Sequence, residues 1–278
     1  MLATMTGNSV RYRTGTAIAV LVLLLSCVTT GPGGKRSFII ISDAEEVELG
    51  RGVATEVEAT QTVLADSVWQ AYLTEVGQKI VRVCDRPDLD YQFKVIESDQ
   101  INAFACPGGF VYFYTGILQM MDSEAELAAV MVHEISHVVG RHSVKHLQTA
   151  LGASVLAQIA LGDAASGAAG QVTGIVLGLA LTGYGRSHEL EADEYGLHYM
   201  KEAGYNPNGA VTMFTKLAEL SGDRDRGFFE NLTSSHPETQ ERIAKINEQI
   251  DAMPASVKDL PDFKDRYQLM KKRLPPPQ

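Results

Sequence analysis

His133-Glu134-Ile135-Ser136-His137 is the stretch that decides how this chain is read, because it is the H-E-x-x-H pattern set in a segment of helical periodicity. Residues four apart share a helix face, so both imidazoles can reach one cation while Glu134 projects beside them. Ser123 with Glu126 makes a capping-box start, and Leu127, Val130, Met131 and Ile135 recur at helical spacing, which puts the motif on an amphipathic helix. Catalytic zinc needs a third protein ligand and an open position for water. The longer pattern H-E-x-x-H-x-x-G-x-x-H fails on register: Gly140 stands in place, but position 143 is Ser143 and His142 comes one residue early. The other candidate is Glu189 in Glu189-Leu190-Glu191-Ala192-Asp193, near the start of another predicted helix. Glu189 and Asp193 share a face there, whereas Glu191 points about 200° away at roughly 100° per residue. On this reading Glu189 binds metal, Asp193 accepts an N–H of His133 or His137, and Glu191 is solvated. Ala192 lets the two helices approach closely.

Working outward, residues Asp43 to Val83 read as two helices, with Asp66 capping the second, Ser67 to Val83. Arg86-Pro87-Asp88 breaks that pattern. Tyr91 to Ile96 and Gly109 to Tyr114 alternate as strands, the latter with Phe110, Tyr112 and Tyr114 on one face, and Cys106-Pro107-Gly108-Gly109 suits a turn or sheet edge. Leu147 to Gly185 is rich in Ala, Gly and Leu, but its apolar runs fall short of the roughly 20 residues a membrane span needs, so buried or lid-forming helices are expected. Helices follow over Ser187 to Ala203, Pro207 to Leu220 and from Pro237, the last with an apolar stripe of Ile243, Ile246 and Ile250. Pro275-Pro276-Pro277 ends the chain and is expected to fray. The fold class is α+β, mostly helical, with a small sheet.

A chain of 278 residues, 45% hydrophobic, supports one well-buried core. A net charge of −10 disfavours nucleic acid as a partner. Residues 1–26 read as an export signal, with Arg11 and Arg13 ahead of the apolar run Ala17 to Leu25. The ending Leu24-Leu25-Ser26-Cys27 is similar to a bacterial lipobox, which makes Cys27 the acylated residue and 27–37 a short flexible tether. Val28 after the cysteine favours the outer membrane's periplasmic face in such lipoproteins. Removing residues 1–26 would take away two arginines and no acid, moving the charge from −10 to −12, so attachment would rest on lipid alone. The catalytic domain then spans 38–255, with a C-terminal helix and tail over 256–278. Cys84 and Cys106 can either pair or sit as two small buried thiols.

Several ordered motifs resemble one family, the HtpX, CAAX-prenyl-protease and BepA/LoiP-type metallopeptidases, which are gluzincins. They are Asn102 to Gly109, Thr115-Gly116-Ile117-Leu118, His133 to His142, Gly185 to Asp193, and Ser235-His236-Pro237 with Arg242. The resemblance implies a zincin-like domain holding one zinc through His133, His137 and Glu189, with Glu134 as catalytic carboxylate. It also implies that His236 can sit over the open metal position and that Arg242 lies near the centre. His142, His146, His188 and His198 are expected to be structural or solvent-facing. Tyr184 and Arg242 are candidate oxyanion donors, and the strand Gly109 to Tyr114 resembles an edge on which extended peptides are laid. The implied activity is endoproteolysis of unfolded or misassembled envelope proteins in the periplasm, with envelope assembly machinery as a possible partner. The alternative is a chaperone or assembly factor whose zinc is occluded.

Overall fold

The protein is described here from a computed structural model, covering residues 27–29, 36–160, 174–178, 183–222, 236 and 240–277. The expected signal, 1–26, lies outside these residues. Of the expected flexible tether, β1 (Cys27–Thr29) and β2 (Arg36–Phe38) pair antiparallel, so part of it forms a hairpin.

Ser42 and Asp66 start the first two helices by satisfying first-turn N–H groups. Ser42 forms a reciprocal capping box with Glu45 ahead of α1 (Asp43–Thr60). Asp66 accepts from Val68 and Trp69 at 2.9 and 3.1 Å ahead of α2 (Ser67–Val81). Three strands follow: β3 (Gln92–Ile96), β4 (Ala103–Cys106) and β5 (Phe110–Tyr114). Their order is β3-β5-β4, with β3 parallel and β4 antiparallel to β5. The expectation that Gly109 to Tyr114 forms an edge is therefore corrected: β5 is the centre of the sheet, paired on both sides. Residues 62–64 partly cover the outer side of β3, through Leu64 N to Val95 O and Glu97 N to Thr62 O at 2.8 Å. Among the described strands β4 is the outer one, paired on one side only, and its residues are buried. Tyr114 N donates to Asn102 O at 3.0 Å, so alternation leaves the N–H and C=O of Ala103 and Ala105 pointing outward.

Each sheet face enters its own core. Phe93, Val95, Ala103, Ala105, Val111 and Phe113 join the larger one with α2, while Phe104, Cys106, Phe110, Tyr112 and Tyr114 join a smaller one with Ile39, Ile41 and α1. Cys84 belongs to the first and Cys106 to the second, and both are free thiols. The pairing reading fails because the sheet stands between them.

The remaining helices are α3 (Thr115–Met120), α4 (Glu124–Val139), α5 (His142–Ala160), α6 (Arg186–Glu202), α7 (Asn208–Gly222), α8 (Gln240–Asp251), α9 (Ala255–Lys258) and α10 (Lys264–Lys271). The tail expected to fray is docked as far as Pro275. Tyr267 is fully buried and donates to Leu118 O at 2.5 Å, Trp69 Nε1 donates to Met270 O at 2.8 Å, and the Gln119 amide donates to Pro275 O. No helix among the described residues is long and apolar enough to cross a membrane.

Candidate metal centre

The motif lies on α4, as its periodicity predicts. Ser123 Oγ accepts from Glu126 N at 3.2 Å, while the Glu126 carboxylate reaches Asp122 N at 2.7 Å, one residue outside the ideal capping box. α6 crosses α4 closely because Ala192 is fully buried and Gly196 carries no side chain, where a Cβ would stand 3.1 Å from Val132. This crossing delivers Glu189 to the two histidines.

Nε2 of His133 and Nε2 of His137 stand 3.0 Å apart, at 3.3 and 3.5 Å from the Glu189 carboxylate oxygens. His236 completes the group, its Nδ1 lying 3.1 Å from Glu189 Oε1 and 3.2 Å from His133 Nε2. One ligand atom from each of the four falls within 4.8 Å of the others, and all four residues are buried. Imidazole nitrogens at this range either share a proton, one ring donating to the other's lone pair, or direct their lone pairs at one cation. Burial would lower His133, but hydrogen bonding to Asp193 and Glu189 outweighs it and pushes it up to about 10. Burial holds His137 well below the usual histidine range, so it is neutral and able to ligate. Burial would raise Glu189, yet His236 and the hydrogen bond from His133 keep it ionised. Three imidazoles and one carboxylate fit zinc. Zinc is the expected ion.

Glu134 lies beside this group, 1% exposed, and burial raises its carboxyl above the ordinary value. Glu134 Oε2 and His236 Nε2 are buried without a hydrogen-bond partner. A small apolar pocket lined by Ile117, Val130, Phe214 and Leu217 opens beside it.

Asp193 orients His133, with Oδ1 3.0 Å from Nδ1. Arg242 grips Asp193 through Nε and Nη2, both at 2.7 Å, and reaches Glu189 Oε2 with Nη1 at 2.9 Å. Arg242, expected near the centre and a candidate oxyanion donor, stands against two carboxylates of the group. Its N–H groups are directed at two carboxylates, and its plane lies over Phe214. Tyr184, the other candidate donor, stacks on His137 with ring centroids 4.0 Å apart, and its hydroxyl is 2.7 Å from Ser143 Oγ.

The expectation of a solvated Glu191 fails, while His142 takes the structural one of the two places expected for it. Glu191 is half-buried rather than solvated, and His142 is fully buried between it and His137, with Nδ1 2.8 Å from His137 Nδ1 and Nε2 3.0 Å from Glu191 Oε2. Burial takes His142 down to about 4, so it is neutral. Burial would raise Glu191, but the hydrogen bonds from His142 and Tyr195 hold it well below the usual carboxylate range. The sequence signal was Gly140-Arg141-His142 immediately after the motif. His188 stacks on His142, and His198 is solvent-facing as expected.

A family model described as Peptidase family M48 matches residues 67–250. The mitochondrial metalloendopeptidase OMA1 of Schizosaccharomyces pombe is 34% identical over 178 residues, 64% of this chain and 52% of that protein. The beta-barrel assembly-enhancing protease of Escherichia coli is 26% identical over 234 residues, 80% of this chain and 47% of that protein. Metalloprotease LoiP of Escherichia coli is 29% identical over 249 residues, 85% of this chain and 95% of that protein. The chain thus spans about half the length of the first two and nearly the whole of the third.

Proposed function

This chain belongs to peptidase family M48, and from that premise we propose that it is a zinc-dependent endopeptidase. In this reading His133, His137 and Glu189 hold the metal and Glu134 is the general base. The observation that carries it is the buried convergence of these ligands beside a carboxylate whose Oε2 has no other partner.

When bound, zinc supplies Lewis acidity toward a water and toward the peptide carbonyl. Glu134 takes the proton of the attacking water at its carboxylate and passes it to the leaving nitrogen, and its raised pKa suits both transfers. Asp193 holds the His133 ring in the tautomer with Nε2 free, and Arg242 holds Asp193. An extended substrate would run along β4 beside Glu134, and because Ala103 and Ala105 are 0% and 4% exposed the segments that cover them would have to move before it could pair there. His236 Nδ1 lies with the other three ligand atoms, so with metal bound it would take the place a water needs and would have to withdraw for substrate to enter.

That same contact favours the second reading, a chaperone or assembly factor, because four protein ligands are the count of a closed zinc site. Casein cleavage by the purified protein, with zinc content measured alongside, separates the two. Wild type and His236→Ala should cleave, and Glu134→Gln should keep its zinc while losing about 10²–10⁴-fold in rate. Zinc present in all three with cleavage in none would refute the endopeptidase, and holdase activity by the same samples would then support the chaperone.

We further place the protein in the periplasm as a lipoprotein anchored through Cys27, at the outer membrane, acting in envelope protein quality control with the assembly machinery as partner. The lipobox-like ending supports the anchor, and the name of one relative, the beta-barrel assembly-enhancing protease, supports a role beside assembly machinery. Cys27→Ser should release the protein from the membrane fraction; retention there would refute lipid anchoring.

A further inference from the structure

The two imidazole ligands are oriented by different means. His133 Nδ1 meets a carboxylate directly, at 3.0 Å from Asp193. His137 Nδ1 meets a second imidazole, and that imidazole meets the carboxylate: 2.8 Å to His142 Nδ1, then 3.0 Å from His142 Nε2 to Glu191 Oε2. We propose that His142 and Glu191 are positioning residues for the metal site, a histidine–carboxylate relay that fixes the tautomer and angle of His137.

The hydrogen positions follow from the chemistry. His137 presents Nε2 to the site, so in the neutral ring its proton is on Nδ1 and is donated to His142. His142 Nδ1 is then an acceptor. Its own proton sits on Nε2, where Glu191 Oε2 receives it, and the other oxygen of Glu191 accepts from Tyr195 at 2.6 Å. Every atom in the row has one role consistent with its neighbours. A carboxylate behind a ligating imidazole raises its basicity and locks its orientation, and here the influence passes through one intervening ring.

The backbone is shaped for this contact. α4 ends at Gly140, where a Cβ would lie 2.4 Å from His142 Nε2 and 2.8 Å from two of its ring carbons. Glycine at 140 therefore makes space for the imidazole. Arg141 then turns the chain back at φ 53°, a conformation costly for a residue with a side chain. It is held there by Glu46 at 2.8 Å, Asp43 at 3.1 Å and a donated bond to Ile41 O at 2.7 Å. His188 covers the ring face at 4.4 Å between centroids. A histidine that merely filled core volume would not need this geometry.

The inference rests on metal being held by the group containing His133, His137 and Glu189, and not on peptide cleavage. Zinc affinity of the full chain, by chelator competition, tests it together with cobalt-substituted absorption spectra and the melting point of the metal-free protein. His142→Leu and Gly140→Ala should each weaken zinc binding about 10–100-fold and shift the cobalt bands. His142→Gln, whose amide oxygen can accept from His137, should recover most of the affinity at a melting point like that of His142→Leu. Equal losses for Gln and Leu, or a His142→Leu affinity within threefold of wild type, would overturn the relay. Nitrogen-15 spectra of the zinc-loaded wild type need no variant to fold: they should show His142 protonated at Nε2 and His137 at Nδ1. A proton on Nδ1 of His142 overturns the proposal outright.

Discussion

Replacing Arg242 with methionine removes the guanidinium while keeping most of the side-chain length, and so isolates the charge that holds two buried carboxylates. Arg242 is 1% exposed, donates twice to Asp193 at 2.7 Å and lies 2.9 Å from Glu189. Adding three charge-assisted hydrogen bonds at about 1.5–3 kcal/mol each overstates the loss, since both carboxylates keep imidazole neighbours. The better guide is the removal of one partner from a buried ion pair, which costs about 3–5 kcal/mol because the remaining charge is left uncompensated. Methionine still packs on Phe214, so little should be added for a cavity. At about 2–4 °C per kcal/mol for a domain of this size, the metal-free variant should melt about 6–20 °C below wild type. Zinc should narrow that gap, because the cation then compensates Glu189. Trp69, the only tryptophan, is fully buried and reports unfolding in urea by fluorescence. A loss below about 1 kcal/mol in the metal-free protein would refute the claim that Arg242 holds the acids of the site.

Gly50→Ala places a Cβ 1.8 Å from Pro107 O and should cost at least the upper part of the about 1–3 kcal/mol range for overpacking, whereas Gly196→Ala meets only the Val132 methyl at 3.1 Å and gains helix propensity, so it should stay within about 1 kcal/mol of wild type by urea unfolding. The reverse order would contradict the packing described. Burial raises the thiols of Cys84 and Cys106, so in native protein starting at Ser37 neither should react with a thiol reagent at pH 8, and both should react in denaturant. Deleting residues 263–278 removes buried Tyr267 and the hydrogen bond from Trp69 to Met270 O; it should cost about 4 kcal/mol and shift the Trp69 emission to the red, and an unshifted spectrum would show the tail to be dispensable.

What the sequence could and could not show follows from range. Helix starts at Ser42, Asp66 and Ser123 are local chemistry, and each stands where its side chain indicates. The proposed ligands His133, His137 and Glu189 follow from spacing along two helices and from the need for a third donor. The strand Phe110–Tyr114 is likewise local, but its place in the sheet is not: its pairing with β3 joins residues separated by a whole hairpin, and alternation within one strand carries no record of its neighbours. The same holds for the tail, where three prolines suggest fraying and a single buried tyrosine anchors the segment. Arg242 lies on the stripe with Ile246 and Ile250, a position reserved for apolar residues unless a charge has a buried partner. That conflict was the available sign that it serves the site.

Glu191 shows the limit of reasoning from one helix. Its angular offset from Glu189 was read correctly, and the conclusion of solvation failed because a third segment occupies the side to which it points. The two histidines of α4 are one turn apart, so a single carboxylate at Asp193 can reach only one of them, and the other needs its own support. A carboxylate at 191 lies on the correct flank but too far away, and His142 spans the gap because Gly140 and the left-handed Arg141 return the chain over the end of α4. All three acids of Glu189-Leu190-Glu191-Ala192-Asp193 are therefore engaged with the histidine group: Glu189 faces His133 and His137, Asp193 stands behind His133, and Glu191 stands behind His137 through His142. On this account the string is a ligand set with its supports rather than a charged helix face, and the angle of 200° between its acids matches the two sides from which a pair of imidazoles must be held.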